Sequence, residues 1–209
     1  MARRGVALVV AGPSGVGKGA LIARLREAHP EVFESVSVTT RAPRPGEVEG
    51  KDYDFVPVAE FERLRDANEL LEWASIHGSY FYGTPVAGVR EKLAAGTDVV
   101  FEVDYQGAES IRRALGADTA LVFVLPPSLE ELQRRQHCRH TETPEQIAAR
   151  LRSAQVELAH TGSFDYLVLN DDLAQASRQL VAILEAERAR RERAGLEGLV
   201  GGLEEALTP

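Results

Sequence analysis

A short glycine-rich segment constrains this chain more than any other feature of its sequence. Residues 12–18 read Gly12-Pro13-Ser14-Gly15-Val16-Gly17-Lys18, after an apolar run at 6–11 and before a helical pattern at 20–25. In a strand, turn and helix of this order, glycines let successive backbone N–H groups point at one anion, and the helix N-terminus adds its dipole. We therefore predict a phosphate-binding loop over residues 12–19, in which the Lys18 ammonium contacts the outer phosphates of a nucleotide.

The residues that follow the lysine depart from the usual loop. Many phosphate-binding loops have Ser or Thr directly after this lysine, and its hydroxyl binds Mg²⁺. This chain has Gly19 and Ala20 instead, and neither side chain carries an oxygen atom. We expect the loop to bind phosphate through its backbone without ligating Mg²⁺ directly.

Length, charge and cysteine content narrow the function classes. The 209 residues suffice for one well-packed domain with small inserted subdomains. The net charge of −8 argues against a nucleic acid polymer as partner. No apolar run reaches the roughly 18 residues that a membrane span needs, and the short N-terminal segment leads us to expect no signal peptide. A lone cysteine, Cys138, excludes an internal disulfide and fits the cytoplasm.

Apolar runs that alternate with helical patterns predict an α/β fold with a parallel sheet. The predicted strands of this sheet are 6–11, 98–103, 120–125 and 166–169. The predicted helices are 84–95, 106–115, 129–137, 144–160 and 171–194, the last of them capped by Asn170 or Asp171. Shorter strand-like pieces at 35–40, 53–56 and 70–77 predict a small, mostly β insertion outside the main sheet.

A second candidate site contains two arginines, Arg41 and Arg44, held in extended geometry by the proline between them. The planar guanidinium matches phosphate oxygens, and the Tyr53 hydroxyl can donate to the same group. The spacing is equally compatible with an exposed basic turn that pairs with Glu47 and Glu49, so both interpretations stay open here.

Six segments, in their order along the chain, resemble the motifs of the guanylate kinase family over about residues 5–190. They are the loop at 12–18, the block at 39–53, Leu71-Glu72-Trp73-Ala74, Tyr82-Gly83-Thr84, Val103-Asp104-Tyr105-Gln106-Gly107 and Asn170-Asp171-Asp172. The resemblance implies the P-loop nucleoside monophosphate kinase fold: a parallel-sheet core, a small β-rich GMP-binding domain and a helical lid. We expect the core at 1–34, 85–125 and 161–194, the GMP-binding domain at 35–84, the lid with its flanking helices at 126–160 and a tail at 195–209.

The resemblance also implies which residues bind GMP. The expected ligands of the GMP phosphate are Arg41, Arg44, Tyr53 and Tyr82, and the expected guanine-binding residues are Ser37, Glu72, Thr84 and Asp104. On the residues alone, Glu72 is also compatible with the solvent face of an alternating strand, and Asp104 with an N-cap of the helix that follows it.

For the donor side, the resemblance implies that the loop at Gly12 to Gly19 and Asn170 bind ATP. It implies catalytic roles for Lys18 and for three lid arginines, Arg135, Arg139 and Arg150. His137, Cys138 and His140 offer three soft ligands without a second pair at zinc-finger spacing, so no protein-ligated metal is predicted. Mg²⁺ is expected to be held through ATP oxygens and water, near Asp104.

The predicted reaction is transfer of the ATP γ-phosphoryl group to GMP or dGMP. Two alternatives remain: a guanylate-kinase-like module that binds protein without catalysis, and a related kinase that phosphorylates a ribose bisphosphate. The sequence favours small-molecule partners and predicts no oligomeric state.

Overall fold

The structure is a computed structural model that describes residues 3–44, 46–76, 80–137, 155–196, 200 and 203. Its strands are β1 Ala7–Ala11, β2 Phe33–Glu34, β3 Val38–Thr39, β4 Asp54–Phe55, β5 Leu70–Ile76, β6 Tyr80–Pro85, β7 Val99–Glu102, β8 Thr119–Leu125 and β9 Tyr166–Leu169. Its helices are α1 Lys18–Ala28, α2 Val58–Asp66, α3 Val86–Ala94, α4 Tyr105–Leu115, α5 Leu129–His137, α6 at 155–159, α7 Leu173–Arg188 and α8 Arg191–Ala194.

The main sheet has five parallel strands in the order β2-β7-β1-β8-β9. Its central strand β1 is apolar throughout because both of its faces are covered. Leu25 of α1 and Leu180 of α7 pack on one face, whereas Leu93 of α3 and Ile111 of α4 pack on the other. These layers confirm the predicted α/β fold with its parallel-sheet core. Among the described helices, none combines the length and the apolar character needed to cross a bilayer.

A second, four-stranded sheet in the order β4-β3-β6-β5 lies between β2 and α3 along the chain. Its pairings are antiparallel except for β3 with β4. Phe61 of α2 is fully buried and stacks on Phe81 of β6, with ring centroids 5.2 Å apart. This sheet is the β insertion that the sequence predicts.

Several predicted element boundaries were wrong. Residue 84 was assigned to a helix, but Thr84 lies in β6 opposite Glu72, and α3 begins only after Pro85. Helix α2 and the strands β2 and β6 were not predicted, because none of them has a long apolar period. The cap of α7 is Asp172, whose side chain accepts from the backbone N–H of Gln175, rather than Asn170 or Asp171.

A buried ion network joins the N-terminal segment to α7. The Asp98 side chain accepts hydrogen bonds from Arg3, from the backbone N–H of Val6 and from Arg188, at 2.7–2.8 Å. Burial alone would raise the pKa of Asp98, but these hydrogen bonds outweigh it and lower the pKa below its ordinary value. The network therefore stabilises the fold at neutral pH and does so less as the pH falls through the lowered pKa.

Candidate active site

The glycine-rich loop connects β1 to α1, and two of its glycines are required by their surroundings. Gly12 and Gly17 have φ values of 139° and 99°. A Cβ atom would lie 2.5 Å from the Val124 carbonyl oxygen at the first position and 2.6 Å from Asn170 Nδ2 at the second. Only glycine fits both the backbone conformation and the space. The sequence therefore forms the tight turn that a phosphate-binding loop needs.

Lys18 is the first residue of α1, and its Nζ donates to the Gly12 carbonyl oxygen at 2.7 Å. Burial lowers the pKa of this ammonium below its ordinary value. The negative charges of three carboxylates raise the pKa of Lys18 and so oppose the effect of burial. The largest contribution comes from Glu102, followed by Glu157 and Asp104. The lysine is thus held within its own loop, among acidic side chains.

Asn170 and Arg135 both lie next to the glycine-rich loop. Asn170 is buried, and its Nδ2 donates to the Val16 carbonyl oxygen at 2.8 Å. Arg135 donates to the Asn170 carbonyl oxygen at 3.1 Å and to Glu131 at 2.8 Å. Both side chains therefore support the loop backbone in this structure.

The two predicted phosphate arginines have different environments. Arg41 is 7% exposed, pairs with Glu47 and donates from Nε to the Tyr82 hydroxyl at 2.9 Å. Its guanidinium also lies over the Tyr53 ring, 4.9 Å from the centroid. Arg44 is exposed. The interpretation of this segment as an exposed basic turn is thus wrong for Arg41, although the predicted pairing with Glu47 is present.

Glu72 lies in β5 and faces a cavity, whereas its neighbour Trp73 is 48% exposed. The Thr84 hydroxyl donates to Glu72 Oε1 at 2.7 Å. Burial raises the pKa of Glu72, the Thr84 hydrogen bond lowers it, and the charge of Asp104 raises it further, so the pKa lies above its ordinary value. Glu72 is therefore a carboxylate in a partly dry site and does not occupy the solvent face of its strand.

Asp104 follows β7, caps the helix that comes after it and lies in the wall of the cavity. Its Oδ1 accepts from the backbone N–H of Gly107 at 2.8 Å, which caps α4. The residue also lines the same cavity as Glu72. The cap thus fixes this carboxylate at the carboxyl end of a parallel strand, where ligands bind in open α/β sheets.

A cavity of about 460 Å³ joins the two candidate sites. The glycine-rich loop and α1 contribute Gly12, Ser14, Gly15 and Lys18 to its wall. The predicted GMP-binding residues in the wall are Ser37, Tyr53, Glu72, Tyr82 and Asp104. Thr84 lines an adjoining cavity of about 220 Å³. The glycine-rich loop and most residues of the predicted acceptor site therefore line a single cleft.

Comparison with known proteins identifies the family. A family model described as guanylate kinase matches residues 4–187. The chain belongs to the guanylate kinase family. It is 47% identical over 204 residues to a guanylate kinase of Rhizobium meliloti strain 1021, covering 97% of this chain and 93% of that protein. It is 50% identical over 189 residues to a guanylate kinase of Nocardia farcinica, with 90% and 97% of the two chains covered.

A solved structure agrees with this assignment. The crystal structure of guanylate kinase from Anaplasma phagocytophilum superposes with a TM-score of 0.77 at 34% sequence identity, covering 95% of each chain. The recognition of the guanylate kinase family and of its fold from the sequence is thereby confirmed.

Two of the lid residues expected from the guanylate kinase family, Arg139 and Arg150, lie outside the described residues, as does Cys138. Conversely, Glu157 of α6 was not predicted as a site residue, although it lines the cleft and its buried Oε2 atom has no hydrogen-bond partner among the described residues. Nothing in the sequence distinguishes a helical glutamate that faces a cleft from one that faces solvent. Glu47 was noted only as a possible surface partner, although it binds the buried Arg41.

Proposed function

We propose that this chain transfers the γ-phosphoryl group of ATP to GMP or dGMP, which gives GDP or dGDP and ADP. The observation that carries the proposal is the single cleft, with Lys18 and the glycine-rich loop on one side and Glu72 on the other. Membership of the guanylate kinase family supports the same reaction. The alternatives of a protein-binding module and a ribose bisphosphate kinase are not favoured.

The donor phosphates bind the loop from Gly12 to Gly19 in this proposal. Backbone N–H groups and the N-terminus of α1 supply oriented positive dipoles. Lys18 exchanges its hydrogen bond with the Gly12 carbonyl oxygen for one with a phosphate oxygen, because a charged acceptor binds an ammonium more strongly. Pro13, Ser14, Gly15 and Val16 form the turn, and Asn170 holds the loop from behind through Val16.

The donor set fits Mg²⁺ held indirectly. Mg²⁺ prefers oxygen ligands and keeps several waters, and carboxylates of Glu102 and Asp104 line the cleft beside Lys18. We therefore assign Mg²⁺ to ATP oxygens and water near Asp104, where it would neutralise phosphate charge.

The acceptor phosphate binds Arg41, Arg44, Tyr53 and Tyr82, and the base binds Ser37, Glu72, Thr84 and Asp104. Guanine presents its N1–H and N2–H groups on one edge, so one carboxylate can accept from both. Adenine lacks this pair of donors, and a partly buried carboxylate facing it would stay unpaired at a cost of about 1–3 kcal/mol. The raised pKa of Glu72 shows that its charged form already carries a desolvation cost.

Catalysis in this scheme needs no general base, because the attacking oxygen of the acceptor phosphate is already anionic. The main contributions to catalysis are the in-line positioning of the two substrates and the stabilisation of charge on the phosphoryl group that is transferred. We assign the latter to Lys18 and to Arg135, Arg139 and Arg150 on a lid at 126–160. Lid closure would also exclude the water that otherwise hydrolyses ATP.

We assign the core to 1–34, 85–125 and 161–194, the GMP-binding domain to 35–84 and a tail without catalytic function to 195–209. The proposed partners are the small molecules ATP and GMP. The proposed compartment is the cytoplasm, where ATP is available and the lone Cys138 stays reduced.

A coupled assay of ADP formation with GMP, AMP, UMP and ribose phosphates as acceptors tests the proposal. We expect turnover with GMP and dGMP about 100-fold above that with AMP, which corresponds to the upper end of the cost of about 1–3 kcal/mol for a carboxylate left unpaired by adenine. Activity on a sugar phosphate alone would overturn the assignment. Absence of both ATP and GMP binding in calorimetry would indicate a protein-binding module instead.

A further inference from the structure

One carboxylate, that of Glu47, holds both predicted phosphate arginines. Its Oε2 and Oε1 accept from Nη1 and Nη2 of Arg41, each at 2.6 Å. Its Oε2 also accepts from the backbone N–H of Arg44 at 2.8 Å, and the backbone N–H of Glu47 donates back to the Arg44 carbonyl oxygen at 3.1 Å. The residue therefore connects the side chain of one arginine to the backbone of the other.

The orientation of Arg41 is fixed by these contacts. Its Nε donates to the Tyr82 hydroxyl at 2.9 Å, and its Nη1 also donates to the Ala42 carbonyl oxygen at 3.0 Å. The two parallel bonds to Glu47 then set the plane of the guanidinium, because a bidentate pair has one favourable geometry. A buried arginine without such a partner would be an uncompensated charge and would move toward water.

The hydrogen bonds that Glu47 accepts determine whether an incoming phosphate could displace its carboxylate. Three N–H donors converge on its carboxylate, and the hydrogen bonds from Arg41 and Arg44 hold its pKa at about 2. The carboxylate of Glu47 is therefore ionised at neutral pH. A phosphate could displace the Glu47 carboxylate only if it accepted hydrogen bonds from all three of these donors in its place.

We propose that Glu47 is a positioning residue for the acceptor phosphate, which fixes Arg41 and the turn at Arg44 before the substrate arrives and stays bound to them afterwards. This inference rests on the proposed function, in which both arginines bind the GMP phosphate. Glu47 itself does not touch the nucleotide. The phosphate binds Arg41, the exposed Arg44 side chain and the hydroxyls of Tyr53 and Tyr82, and Glu47 keeps Arg41 in place.

The test compares Glu47→Gln with Glu49→Gln. The amide keeps the size of the glutamate but accepts from only one Nη group of Arg41. Glu49 is a matched control in the same loop, because its carboxylate accepts from the backbone N–H of Phe55 and contacts neither arginine. The measurements are KM for GMP, KM for ATP, kcat and the dissociation constants of GMP and of guanosine, which has the base but no phosphate.

We expect Glu47→Gln to raise KM and the dissociation constant for GMP by about tenfold or more. A misoriented Arg41 would lose one charge-assisted hydrogen bond to the phosphate, and a loss of that kind has an effect of this size. KM for ATP and the affinity for guanosine should stay within about twofold of the parent values, and Glu49→Gln should change none of them beyond about twofold. In an Arg41→Lys background the Glu47→Gln change should add little, because its effect acts through Arg41.

Four results would overturn the inference. Unchanged GMP affinity would show that Glu47 positions nothing, and tighter GMP binding would show that it competes with the phosphate. An equal loss of guanosine affinity, or a variant that fails to fold while Arg41→Lys folds, would show a structural role. Failure of the proposed function looks different, because the parent protein itself would then bind neither GMP nor guanosine.

Discussion

Replacement of Glu72 by glutamine isolates the carboxylate that we assign to guanine recognition. The glutamate carboxylate can accept from both guanine donors, whereas the glutamine amide accepts from one and turns its own NH₂ group toward the other. The lost charge-assisted hydrogen bond costs about 1.5–3 kcal/mol, and the donor that faces a donor adds about 1 kcal/mol. A total of about 2.5–4 kcal/mol corresponds to a fall of about 70-fold to 900-fold in the ratio of kcat/KM for GMP to that for AMP.

The fold itself should tolerate this change. Because the pKa of Glu72 is raised by burial, its charged form is destabilised in the folded protein, and folding stability rises as the pH falls through the raised pKa. The neutral amide removes that cost and can still accept from the Thr84 hydroxyl. We therefore expect the melting temperature of Glu72→Gln to equal or exceed that of the parent.

The assay couples ADP formation to NADH oxidation with GMP or AMP as acceptor, beside a melting curve for each variant. Glu69→Gln is the matched control, since Glu69 is exposed and pairs with Arg63 at 3.1 Å on the surface. An unchanged preference for GMP over AMP in Glu72→Gln would refute the assignment. A change of the same size in Glu69→Gln would show that the effect is not specific to the carboxylate of Glu72.

Three further substitutions test the loop and the fold. Gly17→Ala forces an L side chain into a left-handed conformation 2.6 Å from Asn170 Nδ2, and KM for ATP should rise about tenfold or more in steady-state kinetics. Gly19→Ser places a Cβ 3.3 Å from Glu102 Oε2 in regular helix, so kcat should stay similar or rise modestly, and a collapse of turnover would contradict indirect Mg²⁺ binding. Asp98→Asn should lower the free energy of unfolding in urea by about 3 kcal/mol, the lower end for buried pairs because both arginine partners keep contact with water, and an unchanged midpoint would argue against the network.

Much of the fold follows from local sequence. The glycine-rich loop was predictable because positive φ angles at Gly12 and Gly17 need glycine whatever the rest of the chain does. The apolar strands of the main sheet were predictable because strands buried on both faces are apolar throughout. The short strand β2 and helix α2 were not, because Phe33–Glu34 and Val58–Asp66 owe their conformation to neighbours distant in sequence.

The sequence by itself determined the glycine-rich turn, the alternating strands and helices of the parallel-sheet core and the family to which the chain belongs. The tertiary structure alone decided which polar groups meet: that Asn170 binds the Val16 carbonyl oxygen, that Glu157 faces the cleft and that Glu47 orients a buried Arg41. The physical reason is range. Backbone conformation and hydrophobic period act over a few residues, whereas the partner of a buried charge is selected by proximity in the folded chain and leaves no periodic pattern in the sequence.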